Sequence, residues 1–86
     1  MPKNKKTWYV YILRCFDGTF YTGITKDLDK RLAEHNFSAR GAKYTRGRRP
    51  VRLVYSCRCR SRAAAQIKEY TIRNLSRRQK FALIKK

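Results

Sequence analysis

Apolar and aromatic residues dominate two short segments near the N-terminus. Residues 7–15 (TWYVYILRC) and 19–24 (TFYTGI) are rich in β-branched and aromatic types, which favour strands. The Asp17-Gly18 pair between them is a typical turn sequence of a hairpin. The two segments therefore predict a β-hairpin.

The apolar spacing becomes helical after residue 26. Leu28, Leu32 and Ala33 recur on one face, and Asp27 places a carboxylate where a helix N-cap favours one. These positions predict a helix over residues 28–37. Residues 38–50 (SARGAKYTRGRRP) have no apolar period and predict a basic loop.

After this loop, a segment of alternating apolar and polar residues is followed by a longer segment with apolar residues at helical spacing. Residues 51–57 (VRLVYSC) alternate apolar and polar positions, and Pro50 fits the first position of an edge strand. Residues 61–75 predict an amphipathic helix, whose apolar stripe is expected to contain Ala63, Ala64, Ile67, Tyr70, Thr71 and Leu75.

A capping box marks the start of the last element. Ser76 and Gln79 have the required spacing and open a short helix that carries Phe81, Leu83 and Ile84. The element order is then β-β-α-β-α-α. This order predicts an α+β fold with a three-stranded antiparallel sheet and flanking helices.

Length and composition fit a single domain. Two domains within 86 residues would each be too small to bury a core. We expect a flexible basic tail over residues 1–6 and one domain over residues 7–86. No apolar run approaches the ~20 residues of a membrane-spanning helix, and no signal-peptide pattern follows the tail, so we expect a cytoplasmic protein.

The charge balance indicates a polyanionic partner. The chain has 23 Lys and Arg against 5 Asp and Glu, a net charge of +18, and such a potential attracts nucleic acid. An anionic membrane surface is a poorer match, because no helix pairs a basic face with a bulky apolar one. Cys15, Cys57 and Cys59 are odd in number and lack zinc-site spacing, so we expect reduced structural thiols.

The length of the hairpin loop decides which face each tyrosine occupies. With a two-residue loop, Tyr11 opposes Ile24, and Tyr11 and Tyr21 face opposite sides of the sheet. With a three-residue loop over residues 16–18 and Gly18 in the left-handed conformation, Tyr11 opposes Gly23 and both tyrosines share a face. A joint site containing both tyrosines requires the second arrangement, in which Gly18 and Gly23 have structural roles.

Two tyrosine-containing tripeptides, YVY (9–11) and YTG (21–23), lie on the predicted hairpin. They are followed by DLDKRLAEHN (27–36), GAKYTRGRRP (41–50) and EYTIRNLSRRQKFALI (69–84). In order and spacing the chain resembles the GIY-YIG nuclease family, and in particular its small stand-alone members, over residues 7–84. It departs from the family signature with Tyr9 in place of glycine and Thr22 in place of isoleucine.

The resemblance implies a metal-dependent DNA endonuclease in which water attacks the phosphodiester directly. Cleavage needs an activated nucleophile, charge stabilisation and support of the leaving oxygen. Tyr11 or Tyr21, aided by His35 and by cations that favour the phenolate, is expected to take the proton from water. Arg31 is expected to clamp a phosphate oxygen. Glu69 is the expected ligand of a single Mg²⁺ or Mn²⁺ ion, since one carboxylate cannot hold two metals.

Each of these residues also has an ordinary structural explanation. The tyrosines can pack across strands, and a lone helical arginine or histidine is often a surface residue. Glu69 has the spacing for an exposed ion pair with Arg73. The register of the hairpin is therefore the geometric test of the catalytic hypothesis.

The predicted basic loop is the expected nucleic-acid contact. Residues there can grip phosphates or stack a base without reading sequence; they are Lys43, Tyr44, Thr45, Arg46, Arg48 and Arg49. We expect a substrate chosen by structure or single-strandedness, with targeting by shape or by a partner protein. The rival hypotheses are a binding module that cuts little or nothing and an RNA-associated protein.

Overall fold

The computed structural model describes residues 7–37 and 43–85. The elements in chain order are β1 (Trp8–Arg14), β2 (Phe20–Thr25), α1 (Leu28–Phe37), α2 (Lys43–Arg46), β3 (Arg52–Cys59), α3 (Arg62–Arg73) and α4 (Arg77–Ile84). The predicted tail over residues 1–6 and part of the predicted basic loop, residues 38–42, lie outside the described residues. The α+β class and the three-stranded antiparallel sheet are confirmed.

The sheet has the order β2-β1-β3, with β1 paired antiparallel to both neighbours. Both faces of the central strand β1 are covered by other parts of the protein. This explains why β1 is the most continuously apolar segment of the chain. Val10, Tyr11, Ile12 and Leu13 are all buried. β3 lies at an edge, as Pro50 before it predicts, and its pairing with β1 shifts register at Ile12.

The alternation of side chains along β1 supplies two separate cores. Val10 and Ile12 pack against Ala65 and Ile72 of α3. On the other face Tyr11, Leu13 and Cys15 pack with Val51 and with Leu28 and Leu32 of α1. The third apolar position predicted for α1, Ala33, is exposed. The sheet therefore separates an apolar layer under α3 from a second layer that contains a tyrosine. Among the described residues, no helix is long and apolar enough to cross a membrane.

Helix α2 interrupts the segment predicted as a loop. Its single turn over Lys43–Arg46 is followed by a hydrogen bond from Arg48 N–H to the Thr45 carbonyl at 3.0 Å. Thr45 is completely buried. The prediction missed this turn because a tertiary contact of Thr45, rather than an apolar period, holds it in place.

The apolar stripe predicted for α3 is wrong except at Leu75, which packs against the core of Val10 and Ile12. Ile67 and Tyr70 are 70% and 71% exposed, whereas Ala65 and Ile72 are buried and Glu69 is half-buried. These three positions, at i, i+4 and i+7, face the sheet. The small Ala65 side chain fits close to Val10 in the first core. Both faces of α3 carry apolar residues at helical spacing, so the sequence allowed either face to be buried. The face with Ala65 and Ile72, which is the less apolar one, packs against the sheet.

Helix α4 begins with the predicted capping box. The Ser76 N–H donates to the Gln79 side chain at 2.8 Å, and the Gln79 N–H donates to the Ser76 hydroxyl at 3.2 Å. The next residue, Arg77, donates to the carbonyl of Gly18 at 3.0 Å. The last helix thus contacts the turn of the hairpin.

Candidate active site

The hairpin has the three-residue loop that a joint tyrosine site requires. The Cys15 N–H donates to the Thr19 carbonyl at 2.8 Å, and Gly18 has φ of 84°. Tyr11 consequently opposes Gly23. The ring centroids of Tyr11 and Tyr21 lie 6.4 Å apart, so the register prediction is confirmed and both tyrosines share a face.

Gly23 makes room for both phenols. A Cβ atom at this position would lie 2.5 Å from the Tyr11 hydroxyl oxygen and 3.2 Å from the Tyr21 ring. The first distance is far below van der Waals contact, and the obstructing atoms belong to a buried side chain. Glycine is therefore required here by the tyrosines that cover it.

His35 lies beneath the tyrosines and is completely buried. Its Nε2 lies 2.9 Å from the Tyr11 hydroxyl, and its Nδ1 lies 2.8 Å from the Thr45 hydroxyl. Burial, and to a lesser extent the charge of Arg31, lower the pKa of His35 to about 4. At neutral pH the imidazole is uncharged, so one ring nitrogen donates a hydrogen bond and the other accepts one.

The Tyr11 hydroxyl has a second polar neighbour in Arg31. Burial raises the pKa of Tyr11 to about 12, although the hydrogen bond from Arg31 acts in the opposite direction. The negative charge of Glu69 raises it as well. The expectation that cations hold a phenolate here is therefore wrong for Tyr11, because desolvation outweighs the arginine. Tyr11 is a neutral phenol that is hydrogen-bonded to a neutral histidine.

Tyr21 and Tyr44 extend the cluster towards solvent. The Tyr21 ring centroid lies 5.1 Å from that of His35 and 5.8 Å from that of Tyr44. Tyr21 is half-buried and Tyr44 is 38% exposed. A ligand can therefore reach these two rings, while His35 stays covered.

Arg31 is half-buried at the edge of this cluster. Besides Tyr11 it contacts Glu34, with 3.1 Å between Nη1 and the carboxylate oxygen. That ion pair holds the guanidinium next to the Tyr11 hydroxyl. The structure thus brings together four of the five predicted catalytic side chains, Tyr11, Tyr21, Arg31 and His35.

Glu69 approaches from α3 and acts on Tyr11 through its charge. Its carboxylate is paired with Arg73 at 3.2 Å, as helical spacing predicts. Among the described residues there is no group of three or more metal-ligating side chains. A single carboxylate nevertheless fits one hydrated Mg²⁺ or Mn²⁺ ion, which keeps most of its waters. The Arg73 side chain is 61% exposed and free to move from the carboxylate into solvent.

The residues predicted to bind nucleic acid divide into two groups. Thr45 is buried against His35, so the nucleic-acid contact predicted for it is wrong, and it supports the cluster from beneath instead. Arg48 is paired with Asp17 at 3.0 Å and lies over the ring of Tyr44. Arg49 donates to the His35 carbonyl at 2.5 Å.

The remaining members of that set lie on α2. Tyr44 and Arg46 are exposed there, and Lys43 is the first residue of the helix. Exposure leaves Tyr44 and Arg46 available to a polyanion. Arg48 and Arg49, which follow α2, instead bind to Asp17 and to the His35 carbonyl and so hold α2 against the rest of the protein.

Two supporting contacts were not predicted. The Asn36 amide oxygen accepts from the Val51 N–H at 2.7 Å, and its nitrogen donates to the Val51 carbonyl at 3.1 Å. This pair fixes the end of α1, and with it His35, to the start of β3. The only sequence signal was the pair His35 and Asn36, two residues of high hydrogen-bonding capacity in the last turn of α1.

Comparison with known proteins agrees with this geometry. The GIY-YIG catalytic domain matches residues 7–82. The chain belongs to the GIY-YIG family. GIY-YIG domains are typically endonucleases and generally use divalent metal ions, which supports a nuclease-like function and a nucleic-acid substrate.

The relatives of this GIY-YIG chain are small proteins. UPF0213 protein DP2720 of Desulfotalea psychrophila is 52% identical over 82 residues, which are 95% of this chain and 74% of the relative. The solution structure of UPF0213 protein BH0048 from Bacillus halodurans is 49% identical with a TM-score of 0.59, covering 92% of this chain and 83% of that one. The solution structure of EF2693 from E. faecalis is 42% identical with a TM-score of 0.66, covering 98% and 88%.

Proposed function

We propose that the protein is a metal-dependent endonuclease that hydrolyses phosphodiester bonds in DNA. The observation that carries the proposal is the buried hydrogen bond between Tyr11 and His35, placed beside Arg31. Ordinary cross-strand packing of a tyrosine does not need a buried neutral imidazole at its hydroxyl. Selection of the substrate by structure or by single strands, rather than by sequence, belongs to the same proposal.

The Tyr11–His35 pair provides a path for the proton of the attacking water. The Tyr11 hydroxyl accepts that proton while it donates its own to Nε2 of His35, so no free phenolate is needed. This step requires the tautomer in which Nδ1 of His35 carries the hydrogen and donates to Thr45. The lowered pKa of His35 keeps the imidazole neutral at the start of the reaction, so Nε2 has a lone pair for this hydrogen bond.

Arg31 supplies positive charge where the phosphorane develops. Its guanidinium is already held at the Tyr11 hydroxyl by the ion pair with Glu34. A fixed cation costs no reorganisation when negative charge grows on the phosphate oxygens. Arg31 therefore orients the phosphate towards the water that Tyr11 contacts.

Glu69 is the residue that would hold Mg²⁺ or Mn²⁺. When bound, the ion supplies Lewis-acid stabilisation of the phosphate and of the leaving oxygen. Arg73 has to release the carboxylate for this, and its exposure makes the exchange inexpensive. The released guanidinium remains available to a neighbouring phosphate.

The test is a cleavage assay on labelled single-stranded, duplex and branched DNA, with and without Mg²⁺ or Mn²⁺. We expect metal-dependent cleavage, strongest on single-stranded or branched DNA, that Tyr11→Phe and Glu69→Gln abolish. Tyr70→Phe is the matched control, because Tyr70 is 71% exposed on the opposite face of α3. Metal-independent cleavage, or cleavage unaffected by these two substitutions, would contradict the proposal.

The second candidate is a nucleic-acid-binding module that cuts little or nothing, acting on DNA or as an RNA-associated protein. The net charge of +18 favours it, because charge alone explains binding. Salt-sensitive retention in gel shifts, with every substrate left intact, would support this candidate. Cytoplasmic localisation, a role in DNA repair and a partner protein that supplies targeting are further parts of the proposal.

A further inference from the structure

An open cleft of about 310 Å³ lies beside the tyrosine cluster. It runs along the edge strand β2 and reaches α2, α3 and α4. Its lining residues are Phe20, Tyr21, Thr22, Tyr44, Arg73 and Lys80. Two tyrosine rings and two cations thus line one small cleft, and one of these rings, Tyr21, also contacts His35 in the candidate active site.

The aromatic wall of the cleft is formed by Tyr21 and Tyr44. Their ring centroids lie 5.8 Å apart and their planes are tilted by 32°. A base inserted between two rings needs about twice the contact distance of ~3.5 Å, so it does not fit between them. The guanidinium carbon of Arg48 lies 4.1 Å from the Tyr44 centroid and holds that ring in place. Because Arg48 covers one face of Tyr44, a base stacks on the part of the Tyr21 and Tyr44 rings that lines the cleft.

The cationic wall is formed by Arg73 and Lys80. The side chain of Arg73 is 61% exposed, and its carboxylate partner Glu69 lies on the side of the candidate active site. Lys80 is half-buried at the cleft. A phosphate attached to a base stacked on Tyr44 can therefore meet two positive charges.

We infer that this cleft is a nucleotide subsite that takes one unpaired base together with its phosphate, next to the bond to be cut. The inference rests on the proposed function and specifies its substrate class, which is single-stranded or locally unpaired nucleic acid. A base within a duplex is paired and stacked on both faces, so it has no free face for the tyrosines. Base–aromatic stacking of this kind tolerates any sequence.

Binding without metal tests the subsite separately from catalysis. The probes are a labelled short oligothymidylate and an abasic oligomer with the same length and charge, measured by fluorescence anisotropy in EDTA. We expect the wild-type protein to bind the oligothymidylate roughly ten-fold more tightly, which is the size of one base stacking on an aromatic ring. Equal affinity for the two probes would overturn the inference.

Two tyrosine variants locate the effect in the cleft. Tyr44→Ala should abolish the preference for bases, and Tyr44→Phe should retain it because the ring remains. Tyr70→Ala removes an exposed tyrosine outside the cleft and should leave the preference unchanged. Thermal melting of each variant shows that the fold persists. A preference that survives in Tyr44→Ala would contradict the assignment.

The cationic wall predicts a different response. Lys80→Ala should weaken the binding of the oligothymidylate and of the abasic oligomer by the same factor. It should also reduce the salt dependence of binding by about one counterion. Base preference together with uncut DNA would leave the subsite standing and reject the nuclease. Cleavage without base preference would reject the subsite alone.

Discussion

The hydroxyl of Tyr11 lies 2.9 Å from Nε2 of His35, and both side chains are almost completely inaccessible to solvent. The imidazole has no exposed surface and Tyr11 is 2% exposed, so any effect of the imidazole on chemistry must pass through Tyr11. The phenol in turn is too weak an acid to ionise by itself at neutral pH. His35 offers a ring nitrogen that can take the proton of the phenol, and Tyr11 offers the hydroxyl through which His35 can act.

Replacing Tyr11 with phenylalanine removes this hydroxyl and keeps the ring that packs over Gly23. We expect the cleavage rate to fall roughly 10²- to 10⁴-fold, the usual contribution of general acid–base catalysis. Single-turnover cleavage at saturating protein measures the change. Tyr21→Phe is the companion variant, and a larger loss in Tyr21→Phe would transfer the proton-accepting role to Tyr21.

The buried imidazole should make stability depend on pH. The pKa of His35 is about 4 in the folded protein, against its ordinary value of 6.5. Because it is lowered, the unfolded chain binds more protons, and the stabilising contribution is lost as the pH falls from about 6.5 towards 4. Between pH 7 and pH 5 this loss amounts to about 2 kcal/mol.

Urea unfolding at pH 7 and pH 5 measures this contribution. The His35→Gln variant is the control, because it keeps a hydrogen-bonding side chain and removes the titration. We expect the variant to lose distinctly less stability over this interval than the wild type. Parallel pH dependence of the two proteins would show that His35 does not titrate as described.

Gly23→Ala should harm the site by overpacking it. The new methyl group would lie 2.5 Å from the Tyr11 hydroxyl oxygen, and insertions of this kind cost about 1–3 kcal/mol. Gly47→Ala is the matched control, because no atom lies within 4 Å of its Cβ position. Thermal unfolding should show a loss for the first substitution and little change for the second.

Gly18→Ala tests the turn that sets the hairpin register. Gly18 has φ of 84°, and the left-handed conformation costs a residue with a Cβ atom about 1–2 kcal/mol. Gly18→Asn should restore part of the stability, since asparagine tolerates this region better. If alanine proves as stable as glycine by chemical denaturation, the loop does not constrain the register as argued.

Glu69→Gln should abolish metal-stimulated cleavage and leave the free energy of unfolding almost unchanged. The ion pair with Arg73 is partly exposed, so its loss should change the free energy of unfolding by at most about 0.5 kcal/mol. Metal-stimulated cleavage should disappear, while DNA affinity in EDTA is kept or rises because a negative charge is removed. A large drop in melting temperature would indicate that Glu69 serves the fold instead.

The sequence predicted those parts of the structure that local chemistry decides. The capping box of Ser76 and Gln79 and the bounds of α1 depend on neighbours within a few residues. These features needed no knowledge of how the elements pack. The sequence left the loop length open, and a joint tyrosine site required the three-residue loop that the structure has.

The parts that failed depend on contacts between distant elements. The face of α3 was mistaken because both sides of that helix offer apolar residues, and the sheet accepts Ala65 rather than Ile67. The role of Thr45 was mistaken because only the folded chain places its hydroxyl at His35. The direction of the Tyr11 pKa was mistaken because burial cannot be read from a list of nearby cations.

The alternation of β1 has a consequence for the changes this chain can survive. Val10 and Ile12 lie in the apolar core, and Tyr11 between them lies in the candidate active site. Gain or loss of one residue inside β1 would move the side chains of each face to the other face. The Tyr11 phenol would then lie in the apolar core under α3, and aliphatic side chains would lie in the candidate active site. Gene variants that shift this strand by one codon should therefore lose folding and activity together, whereas point substitutions can damage one and spare the other.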